Sequence, residues 1–557
     1  MDHVITRREL LLAGSAAATL RAAAPAPQVE QSIVDRNDDA VQKLLRVQVT
    51  DSQSPWAGSV PDDYLLHNAS SAGGLIETLS ASFAHPQSKF HGDKALLERV
   101  RLAAAFLGRS QSPEGNIDLL STNFNSPPDT GFVVHNVATA AAIGHLYGIE
   151  ELVRLLRPFL AKAGAGMAAG GVHTPNHRWV VCSALAQINS VFPDRTYIHR
   201  IDQWLGEGID IDDDGQYIER STVTYNTVTD RAFCVMAAKL KRPELLGPVR
   251  RNLQAMLYLL HPDGEVVTEV SRRQDQFVRG TMAGYWFPLN YMAVHEGDGR
   301  LASLVRRLGP EPARLSALLE YPELASPLPQ SAPLPDDYER TFPLVGLARI
   351  RRGPRDATMV LTGNSRFFSL RNGAAVIDAV RFAASFFGKA QFVPASASRE
   401  TGYVETRYVF RQSLDAPYYQ PLAQRVTYRN WAALRETRTK TQVCRLEQIA
   451  TVTELKNGFQ VRVQSHGTHG VPLAIEVNFR EGGTLEGCRP APHAEGAWLL
   501  EDGFGIYRAG GDAIRFGPGA APHLLTQLRG AEPKLPGLSV YINGYTPFDH
   551  TLRFEWA

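Results

Sequence analysis

A chain of 557 residues, 44% hydrophobic and 21% charged, is too long for one core and has an ordinary soluble globular composition, so two or three domains are expected. Its formal net charge of +1 gives no electrostatic reason to expect nucleic acid as a partner. The first 26 residues hold three arginines and two acids, so a chain without them carries 55 charges of each sign.

In chain order, Arg7-Arg8 precede an apolar run that ends near Leu20, and small residues and prolines follow through Ala26. Residues 1–26 therefore read as a twin-arginine export signal, and the mature chain is expected in the periplasm or outside the cell. The apolar run is too short to span a bilayer, and no membrane insertion is expected after its removal. In an oxidising compartment Cys182, Cys234, Cys444 and Cys488 allow one or two disulfides, but four buried thiols is the better reading.

From residue 33 to 320 the pattern is helical and loosely repeated. Alanine-rich apolar runs fall near Val100–Leu107, Val137–Leu146, Val180–Ile188, Ala232–Leu240 and Leu289–His295. Most are followed by a turn and a second helix, as at Glu150–Leu160, Tyr197–Leu205 and Glu244–Leu259. Helix pairs this apolar need neighbours on both sides, which an (α/α) toroid supplies. Five prolines between Tyr321 and Tyr338 mark residues 321–338 as a linker. Beyond it the period becomes two, as in Phe459–Val463, Leu473–Phe479 and Leu552–Trp556, with Asn457-Gly458 as a hairpin turn. Residues 339–557 are expected to form an antiparallel β-sandwich, so the fold class is α followed by β.

Two polar stretches open onto inner helices of the expected toroid. The first runs Gly170-Gly171-Val172-His173-Thr174-Pro175-Asn176-His177-Arg178-Trp179, and the second runs from Asp214-Gly215 through Glu219 to Tyr225-Asn226. A third polar loop ends at Pro127-Pro128 and leads to His135-Asn136. On a toroid such loops line one rim. Arg272-Arg273, with Tyr285 and Trp286 nearby, suits an anionic sugar, because guanidinium pairs with carboxylate and rings stack on pyranose faces. A solvated charge run explains the same residues equally well. Asp210 to Gly215 begins like a calcium loop, but the twelfth position is Ser221 where a carboxylate is needed, so a polar turn is the better reading. His466 and His469 offer two metal ligands in the β region and no third is identifiable, so no cofactor is expected, with a structural metal there left open.

Together, the export signal, helical toroid, proline linker and β-sandwich resemble the polysaccharide lyases of the heparinase II/III-like and chondroitin AC/alginate lyase type. At motif level the resemblance rests on Asn176-His177, on Asp214-Gly215 leading to Glu219 and Tyr225, and on Arg231. It implies β-elimination on an acidic polysaccharide, with Tyr225 and His177 as catalytic acid and base. It also implies Asn176, Arg178, His135, Asn136, Glu219, Arg231, Arg273 and Trp286 as substrate-binding residues.

The chemistry needs these residue types. A uronate has a C5 proton beside a carboxylate, so that charge must be neutralised before the proton can leave. An amide such as Asn176, helped by an arginine, stabilises the developing dianion. His177 or a deprotonated Tyr225 can take the proton, and Tyr225 can instead donate to the departing oxygen. A phenol ordinarily ionises only near pH ~10, so a tyrosine base needs a neighbouring cation. Two other classes remain open. A toroidal glycoside hydrolase would use paired carboxylates, with Asp129, Glu219, Asp230 and Asp275 as candidates. A glycan-binding protein would use the same fold without turnover.

Overall fold

The computed structural model describes residues 25–402, 405–492 and 494–557. Nearly all of the expected export signal, residues 1–26, lies outside them. The chain groups into two compact units: residues 25–210, 225–251 and 283–333 form the first, and residues 211–224, 252–282 and 334–557 form the second.

Helices dominate the first unit: α1 (Gln31–Val47), α2 (Ala69–Ala84), α3 (Lys94–Ser110), α4 (Pro127–Leu146), α5 (Glu150–Ala169) and α6 (Pro175–Val191). They continue with α7 (Arg195–Gly206), α8 (Tyr225–Leu240), α9 (Leu246–Met256), α10 (Trp286–Glu296), α11 (Gly299–Leu308) and α12 (Leu315–Glu320). Helix α2 packs on α4, α4 on α6, α6 on α8 and α8 on α10, making one inner row. Helices α3, α5, α7 and α11 lie outside it, each against its preceding partner. Sequence explains the division. Helix α4 is buried on nearly every side and built from Val, Ala and Gly, as an inner helix requires, whereas α7 buries only Tyr197 and Ile201. The apolar run Val100–Leu107 lies in α3, the outer partner of α2. Among the described residues no helix is long and apolar enough to cross a membrane.

A short hairpin, β1 (Ile117–Leu119) and β2 (Asn123–Ser126), leads into α4. The second unit holds β3 (Asp337–Phe342), β4 (Leu347–Arg352), β5 (Arg355–Val360), β6 (Phe368–Asn372), β7 (Ala375–Ala384), β8 (Ser396–Thr401), β9 (Thr406–Tyr419) and β10 (Lys440–Leu455). Next come β11 (Gly458–Gly467), β12 (Pro472–Phe479), β13 (Thr484–Glu486), β14 (Arg489–Pro490) and β15 (Ala497–Leu499), then β16 (Gly505–Ala509), β17 (Asp512–Gly517), β18 (Leu538–Tyr545) and β19 (Phe548–Trp556). They make an eight-stranded sheet, β13-β16-β17-β19-β11-β10-β9-β8, and a nine-stranded sheet, β14-β15-β18-β12-β7-β6-β5-β4-β3. One core joins side chains of both, with Phe368 of β6 packing on Phe459 of β11 and Phe554 of β19. Every pairing within these two sheets is antiparallel except β15 with β18.

The segments 211–224 and 252–282 belong to this unit because its strands bind them. Asp214 accepts the Leu344 and Val345 amides at 2.7 and 2.9 Å. Fully buried Arg349 donates to Asp356 at 2.7 Å and to the Leu260 carbonyl at 3.2 Å, and His261 meets Asp356 at 2.8 Å. Asn457-Gly458 turns β10 into β11, with Leu455 opposite Gly458. Gly458 has φ +143°, and a Cβ there would lie 1.8 Å from the Phe554 carbonyl oxygen. Gly458→Ala is therefore expected to cost about 1–3 kcal/mol, read as a lowered denaturation midpoint.

Among the described residues all four cysteines are thiols; Cys182 and Cys234 are buried, whereas Cys444 and Cys488 are only half-buried.

Candidate active site

The inner helices run parallel. Phe132, early in α4, meets His177, early in α6, while Thr139 and Gln187, each further along, hydrogen-bond one another at 3.2 Å. Trp179 of α6 packs on Phe233 of α8 at 4.8 Å between ring centroids. The starts of these helices therefore lie at one end of the row.

The loop into α6 is fixed by its own composition. A Cβ on Gly170 would fall 2.4 Å from the Pro127 ring, so glycine lets this loop lie against the start of α4. Pro175 takes the first helical position, where its missing N–H costs nothing. Arg178 and Trp179 anchor the turn: Arg178 donates to Asp210 at 2.9 Å and Glu207 at 3.2 Å, and the Trp179 indole N–H donates to Asp210 at 2.8 Å. Arg178 also lies over the Trp179 ring at 4.6 Å. Asp210, read in the sequence as the start of a polar turn, is thus the anchor's acceptor. Asn176 and His177 remain on the first turn of α6, where Phe132 and His173 meet the His177 ring edge-on at 6.2 and 4.8 Å. Tyr225, half-buried, is the first residue of α8, the next inner helix.

Below this end lies a polar chain that links four helices. Buried Glu320 of α12 pairs with Lys239 of α8 at 2.8 Å and accepts from Thr139 of α4 and from the Gln187 amide of α6 at 3.2 Å. Because a carboxylate only accepts, Gln187 turns its NH₂ to Glu320 and its oxygen to His135. That oxygen meets His135 Nδ1 at 2.6 Å, and His135 Nε2 meets the Ser183 hydroxyl at 3.0 Å. Burial, reinforced by the nearby Arg231 charge, pushes His135 down to about 4, so its imidazole is neutral at physiological pH. Arg231, two turns along α8 from Tyr225, lies 5.4 Å over Phe287.

Of the remaining expected site residues, Asn136 and Trp286 belong to the first unit and Glu219 and Arg273 to the second. Asn136 turns away from His135 toward α2, where it lines a cavity of about 490 Å³ with Glu77 and Arg36. Trp286 is buried at the first position of α10. Glu219 and Arg273 belong to the second unit, where their charged groups stand 3.9 Å apart. Asp275 accepts from Ser221, Ser271 and the Val223 amide in that unit, and Asp129 accepts from Ser126 and Asn123 in the turn that starts α4. Two of the carboxylates a hydrolase would need are thus holding loops. Gln187, Ser183, Lys239 and Glu320 escape a sequence reading, although Gln187 is a conspicuous polar residue within the apolar run Val180–Ile188.

No family model matches the sequence, and no curated protein is a close enough match to count as a relative. Solved structures do match. The chondroitin AC lyase of Streptomyces coelicolor A3, solved in complex with chondroitin sulphate, superposes with a TM-score of 0.55 at 14% identity, over 96% of this chain and 80% of that one. The chain has the fold of these lyases. A Paenibacillus xanthan lyase matches with a TM-score of 0.57 at 10% identity, over 94% of this chain and 57% of that one. A heparinase III matches at 0.55 and 10% identity, over 97% of this chain and 87% of that one. The resemblance read from the sequence therefore holds at the level of architecture: a helical N-terminal half of toroid type followed by packed sheets.

Proposed function

We infer that the protein is an exported lyase that cleaves a uronic-acid-containing polysaccharide by β-elimination. The observation that carries this reading is the placement of Asn176, His177 and Tyr225 on the first turns of adjacent inner helices, within a fold shared with polysaccharide lyases. In the reaction Asn176, with Arg231 as the candidate cation on α8, offsets the uronate carboxylate charge. One of His177 and Tyr225 removes the C5 proton. Tyr225 is the group suited to return a proton to the C4 oxygen as the glycosidic bond breaks, leaving a C4–C5 double bond. The alternative of a paired-carboxylate hydrolase is weakened by the loop-holding roles of Asp129 and Asp275. The test is a screen of uronate polymers followed in the ultraviolet. A conjugated unsaturated uronate must appear as chains are cut; reducing ends that accumulate without absorbance would replace the lyase reading with hydrolysis.

Export rests on Arg7-Arg8 and the apolar run behind them. Replacing both by lysine is expected to leave the precursor in the cytoplasm, as judged by cell fractionation. Unchanged export of that double variant would refute the twin-arginine reading.

A further inference from the structure

We propose that the tip of the β9–β10 hairpin is a docking surface for an acidic polysaccharide chain, a role that rests on the lyase reading for the identity of the polymer. Strands β9 and β10 end with Tyr419 opposite Lys440, and residues 420–439 form an excursion beyond them. That is longer than the ~12–15 residues at which unstructured connections become uncommon in compact domains. It is held by its own bonds. The Gln420 amide donates to the Thr439 carbonyl at 2.9 Å, Arg438 donates to the Gln420 carbonyl at 3.1 Å, and Asn430 accepts the Thr427 amide at 2.8 Å. Its one short helix, α13 (Trp431–Arg435), buries no residue. The excursion contributes little to the core, yet it is built.

Its surface has a specific chemistry. Residues 420–440 carry five cations and one carboxylate, in a chain whose formal net charge is +1. That carboxylate, Glu436, is already taken by Lys440 at 3.1 Å and the Tyr419 hydroxyl at 3.0 Å. Arg435 adds its charge beside the same Glu436, so the cations of the excursion outnumber the carboxylate they share. Aromatic rings stand among these cations: Tyr428 is 85% exposed and Trp431 56% exposed. Guanidinium groups lie on rings throughout, Arg438 over Trp431 at 4.5 Å, Arg435 over Tyr419 at 5.0 Å and Arg429 over Tyr428 at 5.5 Å. Exposed rings offer flat faces to pyranose C–H groups, and guanidinium forks match sulfate or carboxylate oxygens. The pattern fits a sugar polymer that bears an anion at regular intervals.

Affinity electrophoresis tests this, with the full chain run through native gels containing chondroitin sulfate, heparan sulfate or polygalacturonate, and with dextran as the neutral control. Retardation by at least one acidic polymer and none by dextran is expected, weakening as salt shortens the screening length toward about 8 Å. The combined variant Tyr428→Ala, Arg429→Ser, Trp431→Ala, Arg435→Ser is expected to bind about tenfold more weakly with an unchanged melting temperature. Should that variant unfold, the double charge reversal Arg425→Glu, Arg429→Glu carries the same expectation. On a polymer that is cleaved, KM should rise in the variant while kcat on a short oligosaccharide stays at the parent value. Retardation of the folded variant equal to the parent's, no retardation of the parent by any acidic polymer, or equally strong retardation by single-stranded DNA would each overturn the proposal. Variant-sensitive retardation without any cleavage would leave the surface standing and remove the lyase reading instead.

Discussion

Tyr225→Phe is expected to lower kcat on the cleaved uronate polymer by about 10²–10⁴-fold, the usual contribution of a general acid–base group. The substitution keeps the ring that begins α8 and removes only a hydroxyl on a half-buried residue, so the melting temperature should not change. His177→Ala should cost a similar factor. If both groups act in one step, the double variant should lose less than the product of the single losses. Asn176→Ala should depress kcat as well as kcat/KM, because stabilisation of the carboxylate grows toward the transition state. Steady-state rates from ultraviolet absorbance, set beside thermal melts of each variant, make the comparison. If Tyr225 merely packs, the Phe variant will turn over near the wild-type rate, and the assignment is lost.

Glu320→Ala is expected to remove about 3–5 kcal/mol of stability, because it leaves the Lys239 ammonium largely buried without its partner. The double variant Glu320→Ala, Lys239→Met should recover much of that loss, since no stranded charge remains. The pH dependence has a definite sign. Burial would raise the Glu320 pKa, but Lys239, Thr139 and Gln187 together hold it below its ordinary value. A carboxylate depressed in the folded state adds stability above its unfolded pKa of about 4.3 and loses it as pH falls through the folded value. Wild-type stability should therefore fall on acidification below about pH 4, and the Glu320→Ala protein should show a smaller dependence over that range. Denaturant titrations at several pH values measure both effects. Because Glu320 ties α4, α6 and α8 together, the surviving folded variant should also lose kcat through displacement of His177 and Tyr225.

How much of this was legible in the sequence depended on whether a signal was local. Alternation at Phe459–Val463 and Leu473–Phe479 falls in β11 and β12, and Asn457-Gly458 turns as its chemistry requires. Polar loops running into apolar stretches likewise marked the starts of α4, α6 and α8. Helix α2 was invisible, because Ser70-Ser71-Ala72-Gly73-Gly74 has little hydrophobic period. Gly73 is there for contact: a Cβ on it would stand 3.2 Å from Val133 of α4. The Glu320 network could not be read at all, since Thr139 and Glu320 lie far apart in the chain and meet only once helices pack. Adjacent residues also diverged in space. His135 and Asn136 look like one motif, yet successive helical positions face about 100° apart, which sends one to α6 and the other toward α2.

Parallel inner helices have an electrical consequence that no side chain supplies. Each helix carries a macrodipole equivalent to roughly half a positive elementary charge at its N-terminus. With α4, α6 and α8 starting side by side, three such partial charges converge on the end that holds Asn176, His177 and Tyr225. The peptide backbone thus adds positive potential at the end where the proposed site lies, in a chain whose formal net charge is only +1. Substitution cannot delete that potential without unwinding a helix. Arginine-to-alanine variants around this end should therefore keep part of their attraction for acidic polymers, and the residual attraction should fade as salt is raised.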